Sequence, residues 1–296
     1  MSFDRLQKLI RTRKNPVALT LGVPMEAVPP QLIDSSVDKL GHGTEASADA
    51  LLRFSTELMD ALSSLIPAVI LRVPYWEALG WQGLKALDQA AFHARELGLF
   101  VIADARRGDA NAAAAAYGQT WLGKDGVNAD CLTVNAYQGS DAIEPLLELC
   151  RTEDKCLLTV ARTSNPSAGE IQDLVSGDRV VGQALGDLAG RLGRDDLGEM
   201  GYSRIGAMIA TPWPSDLCAM RKRLERTFFL LNAGGDGECT LEDAWYAFDK
   251  YGRGALVAMD SAPFAWLTSG AADYISPVRS VIEDARDTAK QFITFL

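Results

Sequence analysis

LFVIADARRGD, residues 99–109, is an apolar run that ends abruptly in charge. Leu99–Ala103 is too short for a helix and reads as a fully buried strand. The polar turn after it carries Asp104, Arg106 and Asp109, and the run Ala112–Ala116 then starts a helix, alanine being the best helix former. The same pattern repeats on both sides. Apolar runs at Val17–Leu21, Ala68–Leu71, Cys131–Val134, Cys156–Ala161, Ile205–Ala210, Thr227–Leu231 and Ala255–Met259 are each bounded by turn residues. Stretches such as Gly83–Leu97 and Asp141–Leu149 between them show the 3.6-residue period of amphipathic helices. Continuous apolar strands alternating with helices imply a parallel sheet covered on both faces. Eight of them imply a single (β/α)8 barrel over residues 1–296 rather than an open doubly wound sheet. Two polar, glycine-containing stretches, near 34–50 and 177–201, read as loop insertions, either lids or solvated surface.

A net charge of −10 argues against a nucleic-acid or anionic-membrane partner. No stretch has the roughly eighteen apolar residues of a membrane span, and MSFDRLQKLIRTRKNP lacks the apolar core of a secretion signal. The five cysteines are scattered and odd in number, with Cys131 and Cys156 opening apolar runs as small hydrophobes. These features point to a reduced, cytoplasmic protein. His42 and His93 have no partner at metal-ligand spacing, so neither a metal nor another cofactor is expected.

In a barrel of this kind the site lies at the carboxyl ends of the strands. In chain order those ends are Gly22, Arg72, Asp104 with Arg106 and Asp109, Asn135, Arg162 with Ser164 and Asn165, Thr211, Asn232 and Asp260. Polar side chains also end strands for reasons of turn chemistry alone.

The segment DARRGD, residues 104–109, resembles the DxKxxD signature of the orotidine 5'-phosphate decarboxylases. The likeness extends to DRLQKLIRTRKNP, VIADARRGDANAAAAAY, ADCLTVNAYQGSDAIEPLLE, RTSNPSAGEIQDL and GYSRIGAMIA, covers most of residues 3–260, and points to the longer-chain branch. It implies a (β/α)8 barrel, a homodimer with its site across the subunit boundary, and an alternating Lys-Asp-Lys-Asp array with one further Asp ending the first strand. Here the first-strand Asp falls on Gly22 and the two lysines fall on Arg72 and Arg106, while Asp104 and Asp109 are kept. The resemblance implies that Asp109 reaches the partner subunit's site. A buried lysine can deliver a proton because burial lowers its pKa. An arginine stays charged and instead holds a carboxylate or phosphate in its fork.

The phosphate end implied by the resemblance also departs. Gly237 stands at the Gln position between Asp236 and Glu238, and Ser261 stands where the Arg is expected, beside Asp260. Three carboxylates there would repel a phosphate. The base and ribose side is kept, with Ser164 at the base-contacting serine and Thr133 and Asn135 in the matching fourth strand.

The expectation is therefore a diverged enzyme of lyase type. Its substrate would be small, carboxylate- or carbonyl-bearing, nucleoside-like and without a phosphate. Asp104, Arg106, Asp109 and Arg72 would do the chemistry; Thr133, Asn135, Arg162, Ser164, Asn165, Asp236 and Asp260 would bind. An elongated substrate would have its anionic end at Arg72, Arg106 and Arg162 and its other end at Asp236, Glu238 and Asp260. The alternatives are an orthodox orotidine 5'-phosphate decarboxylase and a catalytically silent barrel that binds a ligand or partner.

Overall fold

The computed structural model describes residues 2–235, 238–271 and 273–293. Its eight expected strands are all present: β1 (Val17–Leu21), β2 (Ala68–Arg72), β3 (Phe100–Arg107), β4 (Cys131–Val134), β5 (Cys156–Arg162), β8 (Ile205–Ile209), β9 (Phe229–Asn232) and β10 (Ala255–Met259). They close into a parallel barrel in the order β1-β10-β9-β8-β5-β4-β3-β2. The short β6 (Val175–Ser176) and β7 (Arg179–Val180) pair with each other outside it. The helices are α1 (Ser2–Arg13), α2 (Pro30–Leu40), α3 (Thr44–Leu62), α4 (Val73–Glu77), α5 (Gly80–Glu96), α6 (Asn111–Leu122), α7 (Glu144–Glu153), α8 (Gly169–Gln172), α9 (Val181–Leu192), α10 (Pro214–Arg223), α11 (Trp266–Ser269) and α12 (Ile275–Phe292).

Strand side chains alternate between the two faces, so each strand feeds two cores. The outward row, including Leu19, Leu71, Val101, Leu132, Leu157 and Leu231, packs under the helices. The inward row, including Ala18, Ile70, Ile102, Cys131, Leu158, Leu230 and Ala258, fills the barrel. Helix α1 plugs the amino end of that interior with Phe3, Leu6 and Ile10, and the Phe3 ring stacks on Phe228 at 4.4 Å. At roughly 1.5–3 kcal/mol per fully buried large apolar side chain, these two layers supply the main drive for closure. Continuing the inward row by one more alternation reaches Thr20, Arg72, Asp104, Thr133, Asn232 and Asp260. The strand period thus gathers polar groups at the carboxyl end.

The insertions are not the loops expected from composition. Residues 34–50 lie within α2 and α3, joined by a turn in which Gly41 and Gly43 both have positive φ. Most of their polar residues lie on outer helix faces, Ser36 being buried and bonded to Asp49, while Leu32, Ala46, Ala50, Leu51, Phe54 and Leu58 are buried at helical spacing. Within 177–201 the chain turns at 177–178, forms β7 and then α9, and leaves 193–201 irregular. His93 is a helix-face residue of α5 whose Nε2 lies 2.7 Å from Asp60.

Candidate active site at the barrel mouth

The local backbone of β3 explains the shape of the mouth. Strand register shifts between Ala103 and Arg107, and Arg106 takes a left-handed conformation with φ of 53°. That conformation costs a non-glycine residue of order 1–3 kcal/mol, so surrounding bonds must hold it. Two sets do so. The Arg106 amide donates to Thr133 Oγ1 at 3.0 Å. The guanidinium folds back and grips Asp104 as a fork, with Nε at 2.9 Å and Nη2 at 2.8 Å. Thr133, itself fully buried, donates to the same carboxylate at 2.9 Å.

A second ion pair closes the ring. Arg72 Nη2 donates to Asp260 at 2.7 Å, and its Nε lies 3.9 Å from Asp104. Asp260 also accepts from Thr20 at 2.7 Å and from the Asn232 amide at 2.6 Å. One network therefore runs from β9 through β10, β1, β2 and β3 to β4. No hydrogen bond between described residues uses Nη1 of Arg72 or of Arg106. Both arginines line a cavity of about 130 Å³ together with Ser164, Asn165, Asn232 and Glu238.

Glu238 is the site residue that sequence reasoning undervalued, counting it only as a repulsive neighbour. Its carboxylate accepts from the Gly235 amide at 3.0 Å and lies at 3.5 Å from the Ser164 hydroxyl. Burial, and then the negative charge of Asp260, push its pKa above the usual carboxylate range. With Glu238 ionised the mouth holds three carboxylates against two guanidiniums; with Glu238 protonated it is balanced. Burial works against the charge on Arg106, but the hydrogen bond and charge of Asp104, with Asp260 and Glu238 beyond, hold its pKa raised. Arg106 is not a proton donor.

Gly22 shows why the first strand carries no acid. Its φ is +97°, and an added Cβ would stand 2.8 Å from the Arg72 carbonyl and 2.8 Å from Trp76 Nε1. The buried Trp76 indole of α4 fills that side of the mouth, and its N–H has no partner among the described residues. Thr20 and Trp76 were missed as site residues, and Asn232, noted as a strand end, was not counted among them. The signal available for Thr20 and Asn232 was their place on the inward row.

Other expectations need correction. Arg162 does not share the rim of Arg72 and Arg106. It pairs with Asp173 at 2.5 Å and lines a separate cavity with Thr211 and Asp216. Asp260 is not at an opposite, acidic end, because it is the direct partner of Arg72. The two charge poles of an elongated pocket are therefore one mixed network. Asn135 is exposed and accepts from the Tyr137 amide, a turn role. Asp109 pairs with Arg107 at 2.8 Å and stands outside the network of its own chain. Asn165 borders the cavity and accepts from the Thr163 hydroxyl. Asp236 and Gly237 lie outside the described residues.

Residues 73–202 match the family described as Orotidine 5'-phosphate decarboxylase / HUMPS family. Orotidine 5'-phosphate decarboxylase of Rhodopirellula baltica is 31% identical over 238 residues, covering 79% of this chain and 78% of that one. The chain belongs to the orotidine 5'-phosphate decarboxylase family. The family enzyme of Clostridium novyi is 29% identical over 263 residues, 86% of this chain and 88% of its own. A Toxoplasma gondii structure, described provisionally as an orotidine-monophosphate decarboxylase, superposes with a TM-score of 0.81. It is 20% identical and covers 99% of this chain and 98% of its own, a likeness that speaks to the fold. The family's barrel is thus kept here around a mouth whose cavity is lined by no lysine among the described residues. Lys155, buried and hydrogen-bonded to Asn128, precedes β5 at the other end.

Proposed function

We propose that the barrel mouth acts as a lyase-type site on a small carboxylate- or carbonyl-bearing, pyrimidine-like substrate. The observation that carries this is that Arg72 and Arg106, whose Nη1 atoms make no hydrogen bond with a described residue, line one cavity with Ser164 and Asn165. Their inner edges are fixed by Asp260 and Asp104, so the outer edges are oriented before a ligand arrives. A planar carboxylate or an enolate oxygen suits such donors.

Two readings of the substrate have different support. The names of the curated relatives favour orotidine 5'-phosphate itself, and at the level of family they are the stronger support. The residues of the mouth favour a diverged, non-phosphorylated substrate. No ammonium faces the cavity to protonate a carbanion, and Glu238 and Asp260 border it. The cavity of about 130 Å³ is also below the roughly 300–1,000 Å³ usual for drug-sized ligands.

Release of labelled carbon dioxide from orotidine 5'-phosphate separates the readings, with binding of orotate, orotidine and orotidine 5'-phosphate measured alongside. The diverged reading expects binding of the non-phosphorylated compounds, conversion of at least one of them, and no enzymatic release from the nucleotide. Turnover at an ordinary enzymatic rate would establish the orthodox reading. Binding without turnover of any of the three would support a silent, ligand-binding barrel, and no binding at all would remove the pyrimidine-like class.

A further inference from the structure

A groove of about 880 Å³ lies at the opposite end of the barrel from the mouth. The carboxyl-terminal ends of α9 and α10 form its walls. Ser203, just before β8, and Thr227, just before β9, mark the amino ends of the strands beneath. The chain carries ten net negative charges, yet this groove is cationic. Asp187 neutralises part of it, pairing with Arg179 at 2.6 Å and with Arg223 at 2.5 Å. What remains is Arg191, Arg194, Lys222 and Arg226 against the single carboxylate of Glu225. All four cations are exposed, and none makes a side-chain hydrogen bond or ion pair with a described residue.

Helix dipoles explain only part of this. Arg191 and Lys222 occupy last turns, where a cation complements the partial negative charge of the helix end. Arg194 and Arg226 lie beyond those helices. Four like charges around one concavity repel one another, and solvent screening reduces that cost without making it favourable. The lining also includes apolar positions, half-buried Leu188 and Gly190 with buried Leu224 and Gly193 beneath them. A Cβ on Gly190 would stand 3.1 Å from the Leu224 side chain, so α9 packs closely on Leu224 at this point.

We propose that this groove binds a small molecule carrying several phosphates and a flat apolar body, a nucleoside di- or triphosphate by chemical class. Arginine forks hold phosphate oxygens bidentately, and a run of adjacent phosphates is best met by several cations around one concavity. The apolar positions offer a surface for the base. The volume suits one such ligand. The site is remote from the mouth and does not depend on the reading of the substrate there.

Calorimetric titration of the full chain with adenosine triphosphate, inorganic tripolyphosphate, adenosine and a short polyglutamate tests it. The triphosphate should bind with a Kd below about 100 μM, an affinity of roughly 5–6 kcal/mol. Tripolyphosphate should bind more weakly and adenosine negligibly. The Kd should rise steeply with salt, as screening of exposed charge requires. Arg194→Glu with Arg226→Glu, both exposed and expected to fold, should weaken binding at least tenfold, and Arg191→Gln with Lys222→Gln less. Arg72→Ala at the mouth should leave it within about twofold, the scatter expected of a distant independent site. No binding at millimolar triphosphate overturns the proposal. So does binding that the groove variants do not change, or polyglutamate binding as tight as the nucleotide.

Discussion

The Arg72 guanidinium is shared between two carboxylates, at 2.7 Å from Asp260 on one side and 3.9 Å from Asp104 on the other. These two acids come from opposite ends of the barrel sequence, and Arg72 is the bridge that brings β10 and β3 into one network. Much of the chemistry available at the mouth depends on how firmly that bridge is occupied.

Asp260→Asn should release Arg72 for an external anion. Binding of orotidine 5'-phosphate or orotate should tighten several-fold, with the phosphorylated ligand gaining more. Removing a part-buried ionic partner while leaving its arginine in place should also cost about 1–3 kcal/mol of stability. Calorimetry and thermal unfolding read the two effects separately. Unchanged or weaker anion binding in a folded variant would mean that Arg72 does not face the ligand.

The mouth should bind anions better in acid. Glu238 has a pKa raised by burial and by Asp260, so its carboxyl stays neutral above the pH at which an exposed glutamate ionises. Below its unfolded pKa the favourable neutral state is fully present, and it is lost as pH rises through the folded value. Orotate affinity should therefore fall as pH climbs from the ordinary carboxylate range through the raised Glu238 value. Glu238→Gln should flatten that dependence and hold affinity at the acidic level. A profile identical in the two proteins would assign the titration to another group.

Gly22→Asp should not recreate the missing first-strand acid. With φ at +97° and both the Arg72 carbonyl and Trp76 Nε1 at 2.8 Å from the new Cβ, the backbone has to move. Positive-φ strain and overpacking together should cost at least about 2 kcal/mol. Gly22→Ala should lose nearly as much, because the clash begins at Cβ. Thermal or denaturant unfolding of both variants decides it; an aspartate tolerated without loss would show that Trp76 yields.

Asp109 is expected to find its functional partner across a dimer. Among the described residues of one chain its ion pair is with Arg107, and the family resemblance implies a site spanning two subunits near Arg106. Light scattering should show a dimer at micromolar concentration, and Asp109→Ala should shift it towards monomer or weaken orotate binding. A monomer with orotate affinity unaffected by Asp109→Ala would make the Arg107 pair purely local.

Much of this was legible in sequence because it rests on short-range periodicity. Val17–Leu21, Cys131–Val134 and Ala255–Met259 were bounded to the residue, since a buried strand must be apolar throughout and must stop where turn chemistry begins. The same reading placed Arg72, Asp104 and Arg106 at strand ends, and the network confirms that they meet. The stretch 34–50 misled because composition records polarity but not the side of a helix on which it falls. Its serines, aspartates and lysine surround apolar positions at helical spacing, and only packing against the barrel selects the buried stripe.

Pairing was what sequence could not supply. Arg162 and Arg72 both end strands and carry the same charge, yet one is taken by Asp173 and the other by Asp260. The choice depends on barrel closure, which places β10 beside β1 and leaves Asp173 above β5. Glu238 likewise sits in a segment with no periodicity, and its raised pKa arises from burial and from Asp260, 22 positions away in the chain. Sequence by itself determined the elements and the list of polar groups delivered to the mouth, because strand alternation is a local property. The tertiary structure decided which charges neutralise one another and which donors remain for a ligand, because those depend on distances below 4 Å between residues up to 240 positions apart, as for Thr20 and Asp260.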